Sequence, residues 1–350
     1  MSFEPEAIRA FEHAGWQRAA STYGNSFAHA TVPYIAPLLE AAEISPGQHV
    51  LDVACGPGHL AAAACARGAT AHGLDFSAEM VAIARSAHPE VVVTEGDAEN
   101  LPYPDNTFHA VVSSLGIHHV PRPELALAEC RRVLKPGARI AFTVWATPEE
   151  NTAWLLVFDA VARHGDRSAS KAPPPGALNR IDQCVRVLEA AAFVERSAQI
   201  VRSEWVLRDG RALLAALSAG TARMAALIAA QEPSALAAIA DDIDGQAERF
   251  PPRRKSRDSH CSSTGAGSQD RRLTKKRVRT LRVSASVHLQ TSGEAKRKSA
   301  LLPRADFRVT HRHVRFGPLP DIADLLDDLV GARKQRWRDG QAESVGPSSG

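Results

Sequence analysis

The chain has no apolar run long enough to span a bilayer, and its 350 residues include only five cysteines. Cys55, Cys65, Cys130, Cys184 and Cys261 are scattered, with no C-x-x-C pair and no histidine at ligand spacing. Neither a disulfide framework nor a zinc site is therefore expected, and no metal is assigned. The start, Met1-Ser2-Phe3-Glu4-Pro5-Glu6, shows no basic n-region and no apolar h-region, so a reducing cytoplasm is the expected location. An excess of one charge is lacking too: a net charge of +3 singles out no partner. Aromatic residues make up only 5% of the chain, yet 44% of it is hydrophobic, enough for a sizeable core in one large or two ordinary domains.

Against these absences, residues 49–61 are informative. Val50, Leu51 and Val53 supply a short apolar strand, Gly56 and Gly58 permit a sharp turn close to a ligand, and an Ala-rich run from Ala61 opens a helix. Gly56-x-Gly58-x-x-Ala61 alone also satisfies the dinucleotide fingerprint, which keeps a nicotinamide-dependent oxidoreductase open as an alternative. Asp52 at the end of the first strand, Pro57 inside the turn, and Ala71-His72-Gly73-Leu74-Asp75 as a second strand ending in an acid point elsewhere. A carboxylate at the tip of the second strand is placed to accept hydrogen bonds from a ribose diol.

Five segments occur in order: Leu51-Asp52-Val53-Ala54-Cys55-Gly56-Pro57-Gly58, Gly73-Leu74-Asp75-Phe76-Ser77-Ala78-Glu79-Met80, Glu95-Gly96-Asp97-Ala98-Glu99-Asn100-Leu101-Pro102, Gly116-Ile117-His118-His119-Val120, and Arg132-Val133-Leu134-Lys135-Pro136-Gly137. From about Val50 to Trp145 the chain thereby resembles the class I S-adenosylmethionine-dependent methyltransferases, in the small-molecule branch related to quinone-biosynthesis methyltransferases. The resemblance implies an α/β, doubly wound, mostly parallel, seven-stranded Rossmann-like sheet, with S-adenosyl-L-methionine as cofactor. It implies methyl transfer by in-line displacement to a small molecule. Ala- and Leu-rich segments suit a hydrophobic or aromatic acceptor.

The resemblance also distributes roles. Ala54, Cys55, Gly56 and Gly58 are expected beneath the methionine portion, with Asp52 reaching its amino group directly or through water. Asp75 takes the ribose hydroxyls, Phe76 and Met80 give the adenine an apolar face, and Asp97 with Ala98 meets its edge. Met80 reads equally well as helix core. Ser114 lies at the exit of the fourth strand, where strand order reverses and open α/β sheets place their chemistry. His118 and His119 follow, and His119 is the candidate base should the acceptor lose a proton, although relatives often use a histidine here to hold the loop. Where relatives carry Phe-Asp at the fourth strand's start this chain has Phe108-His109, which is expected to cost stability more than activity.

Residues 1–40 are expected to form a helical lid, with Trp16 and Tyr23 as pocket or packing residues. Residues 41–250 form the cofactor-binding domain, including a helical insertion at about 209–250. Composition changes beyond Pro251. Between residues 251 and 300, Lys and Arg outnumber acids fourteen to three. The tail 251–350 is thus expected to be basic and largely disordered, and a nucleic-acid-binding arm is an alternative that the absence of interleaved aromatics in 251–300 argues against. Ile322, Leu325, Leu326, Leu329 and Val330 follow a helical stripe. The final strand stays open. Either the chain departs from the family after 251, through a changed reading frame, and the sheet lacks its edge, or the alternating stretch Leu281 to Leu289 fills the slot.

Overall fold

The structure, a computed structural model, describes residues 4–170, 178–247 and 281–293. The expected basic tail and the stripe at 322–330 lie outside the described residues, apart from 281–293. Chain order begins with three helices, α1 (Pro5–Ser26), α2 (Ala28–Thr31) and α3 (Ile35–Ala41). Strands and crossover helices then alternate: β1 (His49–Val53), α4 (His59–Cys65), β2 (Thr70–Asp75), α5 (Ala78–Ala87), β3 (Val92–Glu95), β4 (Phe108–Ser114), α6 (Pro123–Val133) and β5 (Leu134–Trp145). Next come α7 (Thr152–His164), α8 (Ile181–Ala190), β6 (Val194–Leu207), α9 (Gly210–Gly220), α10 (Arg223–Ala229), α11 (Pro233–Ala247) and β7 (Leu281–Gly293).

Five parallel strands run in the order β3-β2-β1-β4-β5, and the order reverses between β1 and β4. Such a sheet must be covered on both faces, which is why its strands are nearly continuous apolar runs. Alternate residues go to opposite cores. Val50, Ala110, Val112 and Ala141 pack under α3, α4 and α5 with Leu38, Leu60, Val81 and Ala84. Leu51, Val111, Ile140 and Phe142 pack under α6 and α8 with Leu127, Cys130, Cys184 and Leu188. A third core lies at one end of the sheet, where Phe27, Tyr34 and Trp145 meet Leu156, Leu213, Leu217, Met224 and Ile239 of α7, α9, α10 and α11.

β7 pairs antiparallel with β5 on one side and with β6 on the other. Of the two alternatives for the final strand, residues 281–293 thus lie inside the sheet, with β6 at its edge. Period-two alternation over Leu281 to Leu289 is the local reason this stretch forms a strand. Residues 135–137 lie within β5. Phe108 pairs with Leu134 and Ala110 with Arg139, so residues 135–138 bulge out, with Gly137 at φ 76°. His109 orders the strand entrance in its own way: its Nδ1 accepts the His49 N–H at 2.9 Å, and Lys135 Nζ stands 2.9 Å from its Nε2.

The first helix, α1, reaches across to α9 and the start of α10. Gly15 of α1 lies so close to Ala222 that a Cβ there would stand 2.4 Å from the alanine's own Cβ. Beside it, Thr22 Oγ1 donates to the Ala219 carbonyl at 2.7 Å.

Candidate active site

The turn after β1 is built from backbone conformations that few residues tolerate. Ala54, Gly56 and Gly58 have φ of 56°, 52° and 86°, and for the alanine this left-handed geometry costs about 1–2 kcal/mol. The Gly58 N–H closes the turn on the Cys55 carbonyl at 3.0 Å, and Gly58 then caps α4. Of the residues singled out from the sequence, Asp52, Ala54, Cys55, Gly56, Asp75, Phe76, Met80, Asp97, Ala98, Ser114 and His119 line one chamber of about 1110 Å³, open mouth included. Gly58 shapes the turn without lining it. Trp16 and Tyr23 are also in the wall.

Two acids at the strand ends differ in state. Asp75 is buried and receives the Gly56 N–H at 2.8 Å and the Ser77 N–H at 2.9 Å. Burial pushes its pKa up to about 6 against the pull of those amides. Asp52 is fully buried, and beyond the nearby Ala61 amide its carboxylate oxygens have no hydrogen-bond partner among the described residues. Burial holds its pKa well above the usual carboxylate range, the Ala61 amide opposes this and Asp75 adds to it. A buried acid with so few partners facing a chamber is a site for a cation or a hydrogen-bond donor, since leaving it unpaired is costly. The ammonium group of S-adenosylmethionine's amino acid end fits that requirement, and the glycine turn leaves room for its passage.

α1 covers this wall through polar contacts that sequence reasoning missed. Arg9 forms ion pairs with Asp97 and Glu99, and Glu99 is also bound by Arg122. Asp97 further accepts the Glu99 N–H at 2.9 Å, so the residue expected at the adenine edge is already held on both oxygens. Gln17 Oε1 accepts the Ser77 hydroxyl and, at 3.0 Å, the Glu79 N–H. His13 stands edge-on to Phe76, ring centroids 5.4 Å apart.

Beyond the turn the chamber becomes aromatic. Tyr23, Phe27 and Trp145 share its wall with Thr31, Val32 and Ile35. The Tyr23 hydroxyl lies 3.0 Å from Thr31 Oγ1, and burial pushes its pKa to about 12, so it stays neutral. Burial lowers His59 to about 4 and places His118 well below the usual histidine range, helped by His119 and Arg223. Burial raises the Cys55 thiol, so it is no thiolate at neutral pH. His119 Nδ1 stands 3.0 Å from Oε2 of Glu12, a fully buried acid on α1. The readable signal for Glu12 was a charged residue in the stripe Ile8, Glu12, Gly15 and Ala19 that α1 buries. Among the described residues no group of three or more His, Cys, Asp or Glu is arranged to hold a metal ion, and no helix is long and apolar enough to cross a membrane.

A parallel sheet with a glycine turn, an acid at the tip of β2 and a buried acid behind the turn defines an α/β nucleotide-cofactor domain of the S-adenosylmethionine-binding class. Residues 51–142 match the family model described as a methyltransferase domain, and this part of the chain is a class I S-adenosylmethionine-dependent methyltransferase domain. The demethylmenaquinone methyltransferase of Renibacterium salmoninarum is 38% identical over 111 residues, 32% of this chain and 47% of the relative. The 2-phytyl-1,4-naphtoquinone methyltransferase of Synechocystis is 39% identical over 114 residues, 30% of this chain and 48% of the relative. The chain thus spans about half the length of the curated relatives it matches. Among solved structures, the YcgJ protein of Bacillus subtilis has a TM-score of 0.47 at 17% identity, covering 76% of this chain and 99% of its own.

Proposed function

We propose that this chain transfers a methyl group from S-adenosyl-L-methionine to a small hydrophobic or aromatic molecule. The observation that carries this reading is the chamber itself. One wall holds the buried Asp52 beside the glycine turn, and the other is lined by Tyr23, Phe27 and Trp145. The cofactor supplies an already activated methyl group on a sulfonium, so the protein has to align the acceptor and exclude water. Asp52 and the Ala54–Gly58 turn hold the amino acid end, Asp75 the ribose, and Phe76 and Met80 flank the adenine. Ser114 and His119 border the reacting centre, His119 taking the acceptor's proton. That two relatives are named for quinone substrates supports a flat, ring-containing acceptor.

In this reading α1–α3 and the helices from 210 to 247 form the cover that selects the acceptor, and Leu281–Gly293 completes a seven-stranded methyltransferase sheet. Removing residues 251–350 is then expected to lower Tm, because β6 loses the strand that joins it to β5; an unchanged Tm would refute that assignment. The free Cys55, Cys65, Cys130 and Cys184 fit a reducing compartment.

The direct test is incubation with methyl-labelled S-adenosylmethionine and a metabolite extract, followed by identification of the labelled product. A labelled small apolar molecule is expected. Calorimetry that finds binding of NAD and none of S-adenosylhomocysteine would overturn the reading.

A further inference from the structure

Glu12 lies on the buried face of α1, nowhere near the glycine turn in sequence, and a fully buried carboxylate needs a reason. Its oxygens are bracketed by three groups from three elements. Arg223 Nε of α10 stands 2.5 Å from Oε1, the Trp16 indole N–H donates to Oε2 at 3.1 Å, and His119 Nδ1 is 3.0 Å from the same Oε2. The Trp16 ring also meets the imidazole edge-on, centroids 5.0 Å apart. His119, which lines the chamber, thus holds Nδ1 close to the acid, and a proton kept on that side makes Nε2 the basic nitrogen. A nucleophile's base that is itself oriented by an acid is a recurring catalytic arrangement.

Resting on the methyltransferase reading above, we propose that Glu12 is the positioning residue for His119: it fixes the ring and its tautomer and supports the positive charge formed when Nε2 accepts the proton of an acceptor hydroxyl. In that step the acceptor's O–H bond breaks, an N–H bond forms on Nε2, and the electron pair stays on the oxygen, which becomes the nucleophile. The imidazolium afterwards returns its proton to water. The acceptor class is therefore narrowed to apolar molecules that carry an ionisable hydroxyl.

Arg223 sets the strength of this support. It partly neutralises Glu12, and His119 and Arg223 together keep the carboxyl below the usual range although burial opposes them. His118, which burial keeps neutral, lies beside the ring, and the other charged or titratable groups of the chamber wall are Arg9, Tyr23, Asp52, Cys55, His59, Asp75 and Asp97.

The test is a titration of the full chain, labelled with 13C at histidine Cε1, in the presence of S-adenosylhomocysteine; the His119 signal is assigned from a His119→Gln sample. Glu12→Gln keeps the shape and loses the charge, and is expected to move the His119 midpoint down by about one pH unit. Arg223→Gln leaves the carboxylate unopposed and is expected to move it up. If Glu12 serves only to tie α1 to α10, both variants lose Tm while the His119 midpoint stays within about 0.2 units of the parent, and the proposal is wrong. Should Glu12→Gln fail to fold, a midpoint unmoved in Arg223→Gln refutes it equally. Calorimetry on the same samples separates the two readings. Absent S-adenosylhomocysteine binding sinks the methyltransferase reading, whereas normal binding with an unmoved midpoint sinks only the role of Glu12.

Discussion

The chamber's two walls are made by different means. Along β1 and β2 the cofactor wall is largely backbone: three residues with positive φ, amides directed at Asp75, and one buried acid with few partners. The opposite wall is made of side chains from elements far apart in sequence, with Phe27 packed against Trp145, Trp154 and Trp205 at centroid distances of 5.8, 6.0 and 5.7 Å. A backbone cradle admits few substitutions and fixes one ligand. A side-chain wall is remade by exchanging rings, so a common cofactor site is compatible with many acceptors.

If the walls are separable, Phe27→Ala should remove about 3–5 kcal/mol of stability as a large buried ring is lost. S-adenosylhomocysteine affinity by calorimetry should stay within about threefold. A fall in affinity to match the fall in Tm would break the comparison. The cofactor wall should instead show itself through pH. A carboxyl whose folded pKa lies above its unfolded value contributes most below the unfolded pKa and loses that contribution as pH rises through the folded one. With Asp75 pushed up to about 6, the cofactor-free protein should lose roughly 3 kcal/mol between about pH 4 and pH 6. Asp52 adds loss in the same direction. Melting curves across that range measure this, and Asp75→Asn should flatten the profile. The smallest effect is expected where the walls meet. The Arg9 side chain is 29% exposed and its Asp97 partner 40%, so Arg9→Gln should change stability by less than about 1 kcal/mol. It also frees Asp97, so S-adenosylhomocysteine should bind no more weakly than to the parent; a clear loss of affinity would mean that α1 belongs to the cofactor wall.

The same division explains what could be read beforehand. A short apolar strand, a glycine turn and an acid at a strand tip are local patterns, and they marked β1, β2 and most of the chamber's glycine-turn side. Glu12, Gln17 and Arg223 act across the fold: Glu12 meets residue 223, and Gln17 meets Ser77 and Glu79. No short window contains such a pair, and in isolation Arg223 reads as a solvated charge. The last strand was only half legible. Alternation marked 281–289 as a strand, but its place between β5 and β6 depends on pairings with residues more than seventy positions back. His109 shows the limit from the other side, since a departure from the family's Asp carries its own hydrogen bonds at the strand entrance.

The contact between Gly15 and Ala222 has a consequence for the history of the chain. With a Cβ at position 15 only 2.4 Å from the alanine methyl, neither site is free to drift alone. A side chain at 15 is admissible only after position 222 has given up its own. Substitutions there should appear in lineages as linked exchanges, two positions over two hundred residues apart inherited as a unit.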